Sequence, residues 1–140
     1  MKKGKVVKVL DGDTFEMDYE GINLRCRVTN VDSPELKRPF GKEAKDYLES
    51  LLLNKEVSFE VEKKDAFGRY VVNLQMESEK LDEHLIRLGM CWHWHKQSNN
   101  AKLLELEQLA RHQKLGLWQD KYIDLHYCEK CKSLQKLTSE

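Results

Sequence analysis

The sequence holds little of what marks the unusual protein classes. Its 140 residues include two prolines and seven glycines, and neither builds a low-complexity tract or an internal repeat. No apolar run approaches the ~20 residues that cross a bilayer, and a cluster such as Leu51-Leu52-Leu53 is far too short. No sign of charge is in excess: 24 Lys and Arg face 24 Asp and Glu, for a formal net charge of zero. That argues against a bulk, histone-like DNA binder but leaves room for a small basic site. The four cysteines, Cys26, Cys91, Cys128 and Cys131, lack the density of a disulfide-stapled secreted domain. No apolar segment follows Met1-Lys2-Lys3 as a secretion signal requires. The chain as given is therefore expected in the cytoplasm, or outside the cell if a signal was removed from it.

What is present suits one self-sufficient domain. Hydrophobic residues make up 40% and charged residues 34%. A chain of this length buries roughly two thirds of its unfolded surface, and the apolar content excludes global disorder.

The first half alternates as strands do. Lys5–Leu10 is rich in β-formers and stops at the turn dipeptide Asp11-Gly12. Thr14–Tyr19 follows, then the turn Glu20-Gly21 and the period-two run Leu24, Cys26, Val28. Three strands so close in sequence predict an antiparallel meander. Pro34, Pro39 and Gly41 mark a loop, and Ala44, Tyr47, Leu48, Leu51 and Leu52 then fall on one face of a helix over 42–53. Val57, Phe59 and Val61 alternate, as do Tyr70, Val72 and Leu74 beyond the turn at Phe67-Gly68. The order β-β-β-α-β-β is that of a five-stranded OB-fold barrel, an α+β and mainly β architecture. Two helices are expected after it: a short one ending at Gly89, and one over 101–115 ended by Gly116. Between them, 90–100 reads as a loop rich in Trp and His. Cys26 and Cys91 read as buried small hydrophobes.

Unusual polar residues gather at element ends: Asp11-Gly12-Asp13-Thr14, Asp32-Ser33-Pro34-Glu35, Phe67-Gly68-Arg69, and Arg27 on the polar face of the third strand. Each alone reads as an ordinary turn or a solvated face. Converging on one barrel rim, they would suit phosphoryl chemistry. Carboxylate oxygens suit a hard cation such as Ca²⁺ or Mg²⁺, and arginine forks match phosphate oxygens.

These segments, with Gly41-Lys42-Glu43-Ala44, Arg87-Leu88-Gly89-Met90 and Gly116-Leu117-Trp118, follow one another as in the staphylococcal nuclease-like, or thermonuclease, family, which the sequence resembles from about Lys5 to Trp118. The resemblance implies an OB-fold domain over 1–118 and Ca²⁺-dependent cleavage of DNA or RNA. It implies Asp13, Asp32 and the Ser33 backbone carbonyl as metal ligands, with Thr14 in support. Glu35 would act as general base on the attacking water, and Arg27 and Arg69 would clamp the phosphate. Water would attack phosphorus and expel the 5′ oxygen, leaving a 3′-phosphate. The expected partner is nucleic acid, with no membrane, and the expected state a monomer.

Two departures stand out. The family's tyrosine-rich stacking region is replaced by Cys91-Trp92-His93-Trp94-His95-Lys96, where Trp92 reads as core and His93 and His95 as candidates to meet substrate. Ala66 stands where a phosphate-holding cation is common. The tail over 119–140 carries His126, Cys128 and Cys131, which is half of a zinc site, a redox pair or a reduced structural pair. Two other readings accompany the nuclease: a non-catalytic OB-fold module that binds nucleic acid, and a zinc-linked interaction domain built on that tail.

Overall fold

Three hairpin-linked strands open the fold: β1 (Lys2–Val9), β2 (Thr14–Tyr19) and β3 (Ile22–Val28). Each turn between them holds a residue that backbone sterics favour there, including Gly21 at φ 86°. The computed structural model describes residues 1–123. His126, Cys128 and Cys131 lie outside the described residues. After the two-residue β4 (Val31–Asp32) come α1 (Gly41–Leu52), β5 (Glu56–Lys64) and β6 (Tyr70–Gln75). The chain then runs through α2 (Leu81–Arg87), β7 (Trp92–His93), α3 (Ala101–His112) and a 3-10 turn over Gly116–Gln119.

Five strands close into a barrel in the order β1-β2-β3-β6-β5, with β1 returning to β5. All neighbours are antiparallel except β3 and β6, which run parallel. The expected meander, inserted helix and two following helices are all present. Phe15, Met17, Cys26, Phe59, Val72 and Leu74 fill the barrel, and Leu48, Leu52, Leu81, Leu85 and Ile86 from the helices join the same core. Burial pushes the Cys26 thiol up to about 12, as expected of a cysteine acting as a small hydrophobe. Among the described residues no helix is long and apolar enough to cross a membrane.

Three expectations are corrected. Val61 is 40% exposed rather than buried with Phe59. It still stands opposite the buried Val72, on the face of Phe59, and the ladder between β5 and β6 shifts register only beyond it, between Val61 and Lys63. The third helix stops at His112, because Lys114 turns left-handed at φ 56° and the Leu115 amide closes back on the Ala110 carbonyl. Gly116 therefore opens the 3-10 turn instead of ending α3. Finally, the stretch 90–100 is not all loop: Val31 pairs His93 and Asp32 pairs Trp92, making β4 and β7 a second, two-stranded sheet. Gly89 does end α2, with the Met90 amide on the Leu85 carbonyl and the Gly89 amide on the Ile86 carbonyl.

Gly41 ties the loop after β4 to α1. A Cβ there would stand 1.9 Å from the Glu35 carbonyl oxygen, a backbone atom that cannot step aside cheaply. Gly41→Ala should cost at least ~2 kcal/mol of stability, read as a lower denaturation midpoint in urea with an unchanged slope.

Candidate active site on the barrel rim

The β1–β2 turn presents two acids by local bonding. Asp11 Oδ1 accepts the Asp13 amide at 3.0 Å, which curls the turn. Asp13 is 4% exposed. Its Oδ1 accepts the Thr14 hydroxyl at 2.8 Å and its Oδ2 accepts the Ser33 amide at 3.0 Å. That second bond joins the turn to the end of β4. Gly12 lets the two segments meet, since a Cβ there would lie 2.8 Å from the Cβ atoms of Ser33 and Ala44. The buried Cys91 thiol donates to the Gly12 carbonyl from beneath, at 3.6 Å.

Arg27 reaches this cluster from β3, directly opposite Thr14 in the ladder. Its Nη2 lies 3.6 Å from Asp13 Oδ2 and 3.7 Å from Asp32 Oδ1, and donates to the Val31 carbonyl at 2.9 Å. The guanidinium carbon lies 4.1 Å from the Trp94 ring centre. Arg27 Nε is buried and has no hydrogen-bond acceptor among the described residues. Glu35 is exposed just beyond β4.

Arg69 stands across the same groove. Asp65 holds it: Oδ1 accepts the amides of Phe67 and Arg69, both at 2.9 Å, and Oδ2 accepts Arg69 Nε at 2.8 Å. Burial opposes ionisation of Asp65, but these bonds keep its carboxyl below the usual range. The groove encloses about 340 Å³, and Arg27, Lys63, Lys64, Phe67, Arg69 and Trp94 are among the residues lining it. Phe67 is 84% exposed there. A neutral chain thus concentrates cations and aromatic faces along one channel, the pairing that holds nucleic-acid backbones and bases.

The acids crowd one another. Burial and the neighbouring Asp13 raise Asp11 to about 7. Burial, then Asp13, also raises Asp32, with Glu35 adding and Arg27 opposing. An all-oxygen set of mutually repelling carboxylates fits a hard divalent cation. Asp13, Asp32 and the Ser33 carbonyl could hold one, with Asp11 beside them.

The structure thus gathers Asp13, Thr14, Arg27, Asp32 and Ser33, sets Glu35 at their edge and Arg69 across the groove. His93 and His95 do not join them. His93 is 2% exposed, with Nε2 at 2.8 Å from the Ser98 hydroxyl, and His95 Nε2 lies 2.6 Å from Glu107 Oε1. From this stretch it is Trp94 that lines the groove. The alternation Trp-His-Trp-His carried that signal, because period two puts Trp94 on the face opposite both histidines. Asp11 also went unassigned, although its spacing from Asp13 pointed to a shared turn.

The model for staphylococcal nuclease homologues matches residues 25–120. The chain belongs to the staphylococcal nuclease family. Arg27, Asp32, Glu35 and Arg69 lie inside the span matched to that family, and the Asp11–Thr14 turn lies just before it. An uncharacterized endonuclease of Escherichia coli is 33% identical over 118 residues, which cover 84% of this chain and 77% of that protein. Micrococcal nuclease of Shigella flexneri is 30% identical over 129 residues, covering 84% and 74%. The staphylococcal-like nuclease CAN1 of Arabidopsis thaliana is 34% identical over 95 residues, covering 68% and 29%.

Asp11 gives this site a pH signature. Unfolded, its carboxyl titrates near the ordinary 3.8; folded, near about 7. Between those values the folded chain keeps a proton that the unfolded chain has lost. This contribution is complete below the lower value, declines as pH rises through about 7, and is flat above it. Asp11→Asn removes the dependence. In metal-free buffer at pH 8 the variant should melt at least ~3 °C above the parent, and the gap should close toward pH 4.

Proposed function

We propose that the protein is a nuclease that hydrolyses phosphodiester bonds of DNA or RNA with the help of Ca²⁺. The observation that carries this reading is the meeting of two acids, Asp13 and Asp32, on one buried guanidinium at 3.6 and 3.7 Å. Family membership and relatives named as nucleases support it.

Asp13, Asp32 and the Ser33 carbonyl would hold the cation, with Thr14 orienting Asp13 through its hydroxyl. Bound there, the cation would supply Lewis-acid polarisation of a phosphoryl oxygen and neutralise the charge the acids share. The protein's own groups do the rest. Arg27 offers its guanidinium to a phosphate oxygen from the groove wall. Arg69, aimed by Asp65, approaches the same phosphate from the opposite side of the groove. Both donors are fixed before the substrate arrives, so the extra negative charge of the transition state meets them without reorganisation. Glu35, at the mouth, takes the proton from the attacking water as its oxygen bonds to phosphorus. The bond to the 5′ oxygen breaks, that oxygen takes a proton from solvent and leaves as a 5′-hydroxyl, and the other product keeps a 3′-phosphate. Trp94 and Phe67 offer faces on which bases stack, each worth ~1–3 kcal/mol.

Cleavage of single-stranded and duplex DNA and of RNA with Ca²⁺, against the same reactions with chelator, tests this reading. Chelator should abolish turnover. Arg27→Ala and Arg69→Ala should each lower kcat by ~10²–10³-fold. Glu35→Gln, at an exposed position, should lower kcat by ~10²–10⁴-fold with unchanged melting temperature. Binding without cleavage in Ca²⁺, Mg²⁺ and Mn²⁺ would instead make the protein a nucleic-acid-binding module.

A further inference from the structure

Behind the groove lies a second group of donor atoms. His93 on β7, His95 two residues on, and Glu107 on α3 each bring one ligand atom within 4.8 Å of the others. The imidazole rings are 4.5 Å apart. Glu107, 8% exposed, accepts the His93 amide on Oε2 at 2.6 Å and meets His95 Nε2 with Oε1 at 2.6 Å. His93 Nε2 is taken by Ser98. Its Nδ1 is buried with no hydrogen-bond partner among the described residues. A buried polar nitrogen left unpaired is costly and calls for a partner that the side chains do not provide.

We propose that His93, His95 and Glu107 form a second metal site, separate from the acidic one, for a divalent first-row ion that prefers imidazole, with Zn²⁺ its occupant. Two imidazoles and a carboxylate make up a known set for four-coordinate zinc, a water completing the shell. Ca²⁺ and Mg²⁺ prefer oxygen and would favour the acidic rim instead. Tetrahedral bonds of about 2.0–2.2 Å place ligand atoms roughly 3.3 Å apart. The group reaches that spacing by a turn of His95, whose side chain is 56% exposed.

Such an ion would tie β7 to α3. β7 is the strand that pairs with Asp32, and the next residue, Trp94, covers Arg27. The site would therefore brace one wall of the groove without touching substrate. The inference does not rest on nuclease activity.

The test uses the full chain with Cys128→Ser, Cys131→Ser and His126→Ala, so that tail ligands do not compete. Co²⁺ should bind at one ion per chain with the intense visible absorption of four-coordinate cobalt. Zn²⁺ should displace it and raise the melting temperature. His95→Ala, at an exposed position, should weaken binding at least ~10-fold while the metal-free protein keeps its circular dichroism. Glu107→Gln, which still accepts the His93 amide, should weaken it similarly. No cobalt spectrum at millimolar Co²⁺, or binding that survives His95→Ala and Glu107→Gln, would overturn the proposal.

Discussion

Arg27 sits 9% exposed at the end of β3, with one nitrogen shared among Asp13, Asp32 and the Val31 carbonyl. Removing a guanidinium from water costs several kcal/mol. It stays because acids from two other segments surround it, and those acids tolerate one another because it is there. The dependence is mutual: each partner alone would be a buried or crowded charge. The β1–β2 turn, the end of β4 and the groove wall at Trp94 all meet on this one side chain. A phosphate approaching the rim would find a donor already held in place by the fold.

The barrel makes that meeting rigid. Parallel pairing of β3 with β6 sets Arg27 beside Val71 and brings the Asp65–Arg69 turn to the same rim. The small β4–β7 sheet fastens Asp32 to the strap that carries Trp94. Gly12 allows the turn to press against Ser33, and Gly41 allows the loop after Glu35 to fold onto α1. The site is thus assembled from short segments whose positions rest on backbone contacts, and its acids are crowded enough that a divalent cation would relieve them.

Much of this was legible in the residues. Alternation marked the five barrel strands, helical spacing marked α1 and α2, and Asp-Gly-Asp-Thr with Asp-Ser-Pro-Glu marked the acidic rim. What escaped depended on contacts distant in sequence. The register shift just beyond Val61 is a property of the ladder with β6, not of the run Val57–Val61. The role of Trp94 follows from pairing between residues some 60 positions apart, where Val31 meets His93. His93 and His95 looked available to substrate until Glu107, from α3, engaged both. Asp11 looked like a turn residue because the burial and the nearby Asp13 that raise its carboxyl arise only in the fold. The tail's Cys128 and Cys131 lie outside the described residues.

The rim acids are proposed as a seat for a hard cation. Calorimetric titration of the whole chain with Ca²⁺, beside Asp32→Asn, tests it most directly. One Ca²⁺ should bind per chain, at least ~10-fold more weakly in the variant. No measurable Ca²⁺ binding, or binding that Asp32→Asn leaves intact, would contradict it.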